Sequence, residues 1–268
     1  MKAVIFDGSA VDDLAGRRIR RLLTDHLSAK GAVTEVWTIR DLKITPCAGD
    51  FFCWIRTPGQ CIFDDDNRRL AAAVVNSDLL IYLTPVTFGG YSACLKRAVD
   101  HLIQNVLPFF IKLEGETHHQ KRYTAYPDFL AIGWLDQPEP DAEACFRNLV
   151  RRNAINMHAR RFCGGIVLAG QPDEAIATAI GDWLNWPSPA TEPAGSAPIG
   201  YPAAESLFRP VRQAVLLVGS PKLRQSTSHA LGRYLLDQFD PAAVSANTFF
   251  LPAINHSPEK MAAMFQAV

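Results

Sequence analysis

Short apolar runs and helical stripes alternate along the first two thirds of the chain. The runs are residues 3–6, 33–39, 79–83, 128–135 and 162–168, each bounded by polar or turn residues such as Asp78 and Pro85. Runs of this length predict parallel strands covered on both faces. Between them lie five stretches with helical periodicity: 16–30, 64–76, 93–104, 141–154 and 172–184. In the first, Ile19, Leu22, Leu23 and Leu27 share a stripe, and in the third Leu95, Val99, Leu102 and Ile103 do. Asp64, Asp65 and Asp66 suit the positive end of the second helix's dipole. Strict alternation predicts an α/β domain with a five-stranded parallel sheet and right-handed crossovers. Two segments break the pattern and are predicted irregular: 42–63, with three cysteines and the turn Thr57-Pro58-Gly59, and the polar 106–127, with Pro108, His118, His119 and Tyr123.

Beyond Trp186 the texture changes. Residues 187–210 are dense in Pro, Ala, Gly and Ser, which predicts a linker. The opening then recurs: residues 213–220, QAVLLVGS, line up with residues 2–9, KAVIFDGS. Leu231, Leu235 and Leu236 echo Ile19, Leu22 and Leu23, residues 246–251 stand for the second strand, and 257–268 for the helix after it. The predicted organisation is a domain at 1–187, a linker at 188–212 and a partial second copy at 213–268, ending where the first copy enters its third strand. That partial copy is either a half-domain completed by other surfaces or part of a longer design.

Composition narrows the function classes. Of 268 residues 48% are hydrophobic and 20% charged, with a formal net charge of zero. An electrostatic grip on nucleic acid or an anionic membrane is therefore not expected. No stretch reaches the roughly 20 apolar residues of a membrane span, and the N-terminus reads as a core strand rather than a leader. Six cysteines in a chain this long form no disulfide framework, and the expectation is a cytoplasmic protein with reduced thiols.

Candidate chemistry concentrates after the third strand. Thr84, Pro85, Val86, Thr87, Phe88, Gly89, Gly90, Tyr91 and Ser92 make a hydroxyl-rich loop with two glycines and an aromatic ring, Phe88. Open α/β sheets bind ligands at such loops, outside the carboxyl ends of the strands. The alternative is a tight turn with a buried Phe.

Three passages resemble the NAD(P)H-dependent FMN reductase and iron–sulfur flavoprotein group of the flavodoxin-like superfamily. One runs from Pro46 and Cys47 through Cys53, Trp54 and Cys61 to Asp65; another from Ser77 through Thr84–Ser92 to Lys96 and Asp100; the third is the repeated strand, Gly-Ser loop and helix start. The resemblance implies a flavodoxin-like doubly wound sheet with FMN at its carboxyl edge, in a homodimer or homotetramer. It also implies hydride transfer from NAD(P)H through FMN to a quinone, free flavin, metal ion or other small acceptor.

On that resemblance, residues 84–91 run along the flavin. Gly89 and Gly90 allow close approach, Phe88 or Tyr91 stacks on the ring, and Gly133 and Trp134 face the site from the next loop, Trp134 otherwise being plain packing. FMN's phosphate calls for amides and hydroxyls at a helix N-terminus. Ser9 and Ala10, with Arg17 nearby, supply them in the first copy, although Asp12 and Asp13 repel an anion; the alternative is a loop that only caps the helix. The second copy offers Ser220, Gln225, Ser226, Thr227 and Ser228 with two cations and no acid. It is a vestige, a second flavin site in a longer chain, or a seat for a nicotinamide nucleotide's phosphate.

Iron–sulfur members carry four close cysteines, whereas here Asp50 stands beside Cys47, Cys53 and Cys61. Thiolate ligation being the rule, no cluster and no other metal is expected; the alternative is zinc held with a His or Asp. Cys94, Cys145 and Cys163 read as core. Adjacent His118 and His119 suit a lid, an oligomer contact or a surface loop. No nucleophile, general base or oxyanion motif is present, and a flavin enzyme needs none. The competing functions are a flavodoxin-like electron carrier or flavin sensor, and a flavin-free structural or partner-binding homologue.

Overall fold

The computed structural model describes residues 1–186, 212–220, 222–254 and 257–267. The chain divides into two compact units, Met1–Ser196 and Ala197–Val268. All of the predicted linker but Arg212 lies outside the described residues.

In the first unit the five predicted strands are β1 (Lys2–Asp7), β2 (Val33–Thr38), β3 (Leu79–Pro85), β6 (Asp128–Leu135) and β7 (Phe162–Leu168). All pair in parallel in the order β2-β1-β3-β6-β7. Alternate side chains point to opposite faces, and each face meets its own helices. Val4, Phe6, Leu80, Tyr82 and Phe129 pack with Leu70, Leu95, Phe146 and Val150 on one side. Ile5, Ile81, Leu83 and Ile132 pack with Ile19, Leu23, Ile176 and Ile180 on the other. The helices are α1 (Leu14–Ala29), α2 (Asp66–Val75), α3 (Ala93–Asp100), α4 (Pro140–Asn156) and α5 (Asp173–Leu184). This is the doubly wound flavodoxin-like sheet that the alternation and the resemblance lead to.

Residues 106–127 are not irregular. They hold an antiparallel hairpin, β4 (Val106–Leu113) and β5 (Glu116–Lys121). Glu114 and Gly115 turn it with φ of 49° and 80°, the paired positive dihedrals that match strand twist in a two-residue turn. The register shifts between Val106 and Phe110, where Pro108 lacks a donor. His118 is buried in the hairpin, while Phe109 and Phe110 stay exposed.

The second unit has β8 (Gln213–Val218) paired in parallel with β9 (Ser245–Phe250), α6 (Thr227–Leu236) between them and α7 (Pro258–Ala267) after them. Six residue pairs run from Gln213–Ser245 to Val218–Phe250, matching the six from Lys2–Val33 to Asp7–Thr38. Leu231 and Leu235 are exposed, whereas their counterparts Ile19 and Leu22 are buried and half-buried.

Candidate functional site

The carboxyl ends of β1, β3 and β6 bring three loops together. Gly8 closes the first against β3 through its amide to the Leu83 carbonyl at 2.8 Å. Ser92, the N-cap of α3, donates its hydroxyl to the Gly8 carbonyl at 2.8 Å and accepts from the Leu95 amide. The amide of Val86 donates to the Trp134 carbonyl at 3.0 Å. The segments 8–13, 84–92 and 133–139 therefore form one edge, with Gly133 and Trp134 in the last residues of β6 rather than in the loop after it, because both pair with β7.

The loop after β3 is a tight turn. Thr87 and Gly90 exchange both backbone hydrogen bonds, and Phe88 and Gly89 sit at the tip with φ of 50° and 72°. Gly89 is fixed by space as well, since a Cβ there would lie 2.6 Å from that of Cys145. Phe88 projects wholly into solvent at 103% exposure. The tip amides of Phe88 and Gly89 have no partner among the described residues. Thr84 is buried, its hydroxyl donating to the Pro85 carbonyl and accepting from the Ser92 amide. Tyr91 does not face the edge: its ring packs on Tyr82 and Phe146, its hydroxyl accepts from Asn153, and burial pushes its pKa up. Val86 lies over Gly133, where a Cβ would come within 2.6 Å of its side chain.

The turn before α1 is closed by side chains of its own. Asp13 is the N-cap, accepting from the Gly16 amide at 2.7 Å and from the Trp134 indole N–H at 3.2 Å. Trp134 is buried, and a Cβ on Gly16 would lie 2.7 Å from Ser9 Cβ and 2.9 Å from the indole ring. The Ser9 amide and hydroxyl both donate to the fully buried Asp7 carboxylate, whose other oxygen takes Arg20 Nη1 at 2.8 Å. Arg40 Nη1 donates to the carbonyls of Ser9 and Ala10. Ala10, Asp12 and Arg17 are exposed.

The structure thus brings Ser9, Ala10, residues 84–90, Gly133 and Trp134 to one edge, and leaves Tyr91 in the core. Asp7, Asp13 and Arg40 were not among the expected site residues, yet with Ser92 of the hydroxyl-rich loop they organise it. Asp13 carried a readable signal, an acid directly before an apolar-periodic helix. Asp7 and Arg40 carried none.

In the second unit the turn before α6 is open. Ser226 is buried and caps the helix, accepting from the His229 amide at 3.1 Å. Gln225, Thr227 and Ser228 are exposed, as are Lys222 and Arg224, while Ser220 is half-buried.

The cysteine segment lies apart from these loops' hydrogen bonds. Cys47 is exposed, Cys53 buried and Cys61 half-buried. Burial, then the neighbouring Cys61, Cys47 and Asp50, pushes the Cys53 thiol up to about 11. Among the described residues no group of three or more His, Cys, Asp or Glu is arranged to hold a metal ion. Cys163 is buried as expected, but Cys145 is exposed, because Phe146, Val150 and Ala154 form the face of α4 that meets the sheet. Among the described residues no helix is long and apolar enough to cross a membrane.

Residues 1–124 match the family described as NADPH-dependent FMN reductase. An iron–sulfur flavoprotein of Methanocaldococcus jannaschii is 29% identical over 100 residues, 37% of this chain and 51% of its own length. The chain thus spans about half the length of that relative. An NAD(P)H:quinone oxidoreductase structure from Methanothermobacter marburgensis superposes with a TM-score of 0.53 at 13% identity, covering 67% of this chain and 95% of that one. That likeness carries the fold, which is flavodoxin-like.

A flavin nucleotide would meet this edge unevenly. The exposed Phe88 ring and the unpartnered tip amides suit a flat ring with carbonyl and imide edges. The helix N-terminus does not suit the phosphate: a carboxylate already caps it, and an indole fills the space beside Gly16.

Proposed function

We propose that this chain, whose residues 1–124 match the NADPH-dependent FMN reductase family, is a flavin-dependent NAD(P)H oxidoreductase acting on a small electron acceptor. The observation that carries this reading is that the matched span holds two of the three loops of the carboxyl edge, 8–13 and 84–92, with the tip of the second left open. A bound flavin supplies hydride exchange between nicotinamide and acceptor. The chain's own residues position and shield. Gly89 lets the backbone turn within reach of a ring, Phe88 offers a face to stack on, and Ser92 ties that loop to Gly8. Quinones, free flavins and other small acceptors all fit this open edge, and a homodimer or homotetramer in the cytoplasm is part of the proposal.

Anaerobic titration tests it. The full chain should bind flavin with a perturbed absorption spectrum, and NADPH or NADH should bleach the flavin band. A carrier or sensor would bind flavin without bleaching. A flavin-free, partner-binding homologue, which the closed turn at Asp13 favours, would give no spectral change at all.

A further inference from the structure

A flavin has two recognisable ends, and the first unit treats them differently. At a helix N-terminus the unpaired amides and dipole welcome one anion. In α1 that anion is already present, as the Asp13 carboxylate on the Gly16 amide and the Trp134 indole. The Ser9 hydroxyl, which would otherwise donate to a phosphate, donates to Asp7. The guanidinium of Arg40 is engaged by the Ser9 and Ala10 carbonyls. Asp12, Asp136 and Glu139 are exposed on the loops of the same edge. A dianion brought to this turn would meet carboxylates and find the Ser9 hydroxyl, the Gly16 amide and the Arg40 guanidinium engaged, whereas the loop after β3 carries no acid and presents an exposed ring beside unpartnered tip amides.

We propose that the first unit recognises a flavin through its ring and not through its phosphate, so that it takes riboflavin as readily as FMN. Asp13 is the specificity-determining residue: it holds the place of the phosphate and, with Trp134, keeps a phosphate out. This rests on the flavin reading above.

Titration of the full chain with riboflavin and with FMN, followed by flavin fluorescence at one ionic strength, tests it in wild type and in Asp13→Ser. Serine keeps a capping oxygen and removes the charge, and circular dichroism checks that the helix content is unchanged. Wild type should bind FMN no tighter than riboflavin. Asp13→Ser should tighten FMN by about tenfold, the scale of one charge-assisted hydrogen bond gained, and move riboflavin by less than about twofold. A wild type that prefers FMN by about tenfold or more, whichever turn seats the phosphate, overturns the inference, as does a substitution that moves both flavins alike or neither. If neither flavin binds wild type, the flavin reading itself fails and the inference falls with it. A wrong preference between two bound flavins overturns the inference alone.

Discussion

The chain contains the same strand–turn–helix start twice, with the same six-residue parallel pairing after it, and the two turns are built in opposite ways. Before α1 the cap is Asp13, the loop hydroxyl is tied to a buried carboxylate, and a tryptophan from β6 lies across the helix end. Before α6 the cap is Ser226, the neighbouring hydroxyls of Thr227 and Ser228 are exposed, and Lys222 and Arg224 stand free of acids in the loop. The difference separates a local from a distant cause. A single residue sets the charge at the helix end, but closing the space beside it takes a strand far along the chain. Among the described residues of the second unit no strand stands where β6 stands in the first.

The largest effect should come from the distant part of that closure. Trp134→Ala removes a buried indole packed beside Gly16, and should cost the first unit about 3–5 kcal/mol in denaturant unfolding. A cost below about 1 kcal/mol would show the indole to be loosely seated. The caps give a smaller, paired test. Ser226→Ala should cost about 1 kcal/mol, Asp13→Ala about 2 kcal/mol or more because the buried Trp134 indole N–H also loses its acceptor, and Asp13→Ser should recover the share that belongs to the cap. Equal alanine costs would mean that the Trp134 indole gains nothing from Asp13. The smallest effect is a pH dependence confined to the first unit. Burial, partly offset by the hydrogen bond to the His119 carbonyl, lowers the His158 pKa from 6.5. The unfolded chain therefore binds this proton more readily than the folded one. Its contribution is fully present above pH 6.5 and is lost as pH falls through the lower folded value, so His158→Gln should flatten the acid limb of the stability profile.

Much of the fold was legible because strand and helix periods differ: β6 and β7 coincide with the apolar runs, and the parity of Val4 and Ile5 alone assigns them to opposite faces. The hairpin of β4 and β5 was not legible. Pro108 and paired histidines read as a loop, and its strongest signal, Glu114-Gly115, is a two-residue turn flanked by no clean alternation. At the site, the edge position of loop 84–92 followed from topology, but side-chain direction did not. Tyr91 shares a composition with its neighbours, and only the packing of Tyr82 and Phe146 around it makes it core. Arg40 reaches Ser9 from beyond β2, a contact that no local pattern announces. Asp12 and Asp13 read alike as repulsive acids; the structure separates them, turning one to solvent and the other onto the helix end.

Phosphorus NMR of FMN bound to the full chain tests the central contrast most directly. With the first turn closed, the phosphate stays in solvent, and its resonance should be narrow and titrate near pH 6 as a free phosphate monoester does. A broadened, shifted resonance that no longer titrates, and that keeps this form in the presence of Lys222→Glu and Arg224→Glu, would place the phosphate on the first turn and contradict the account.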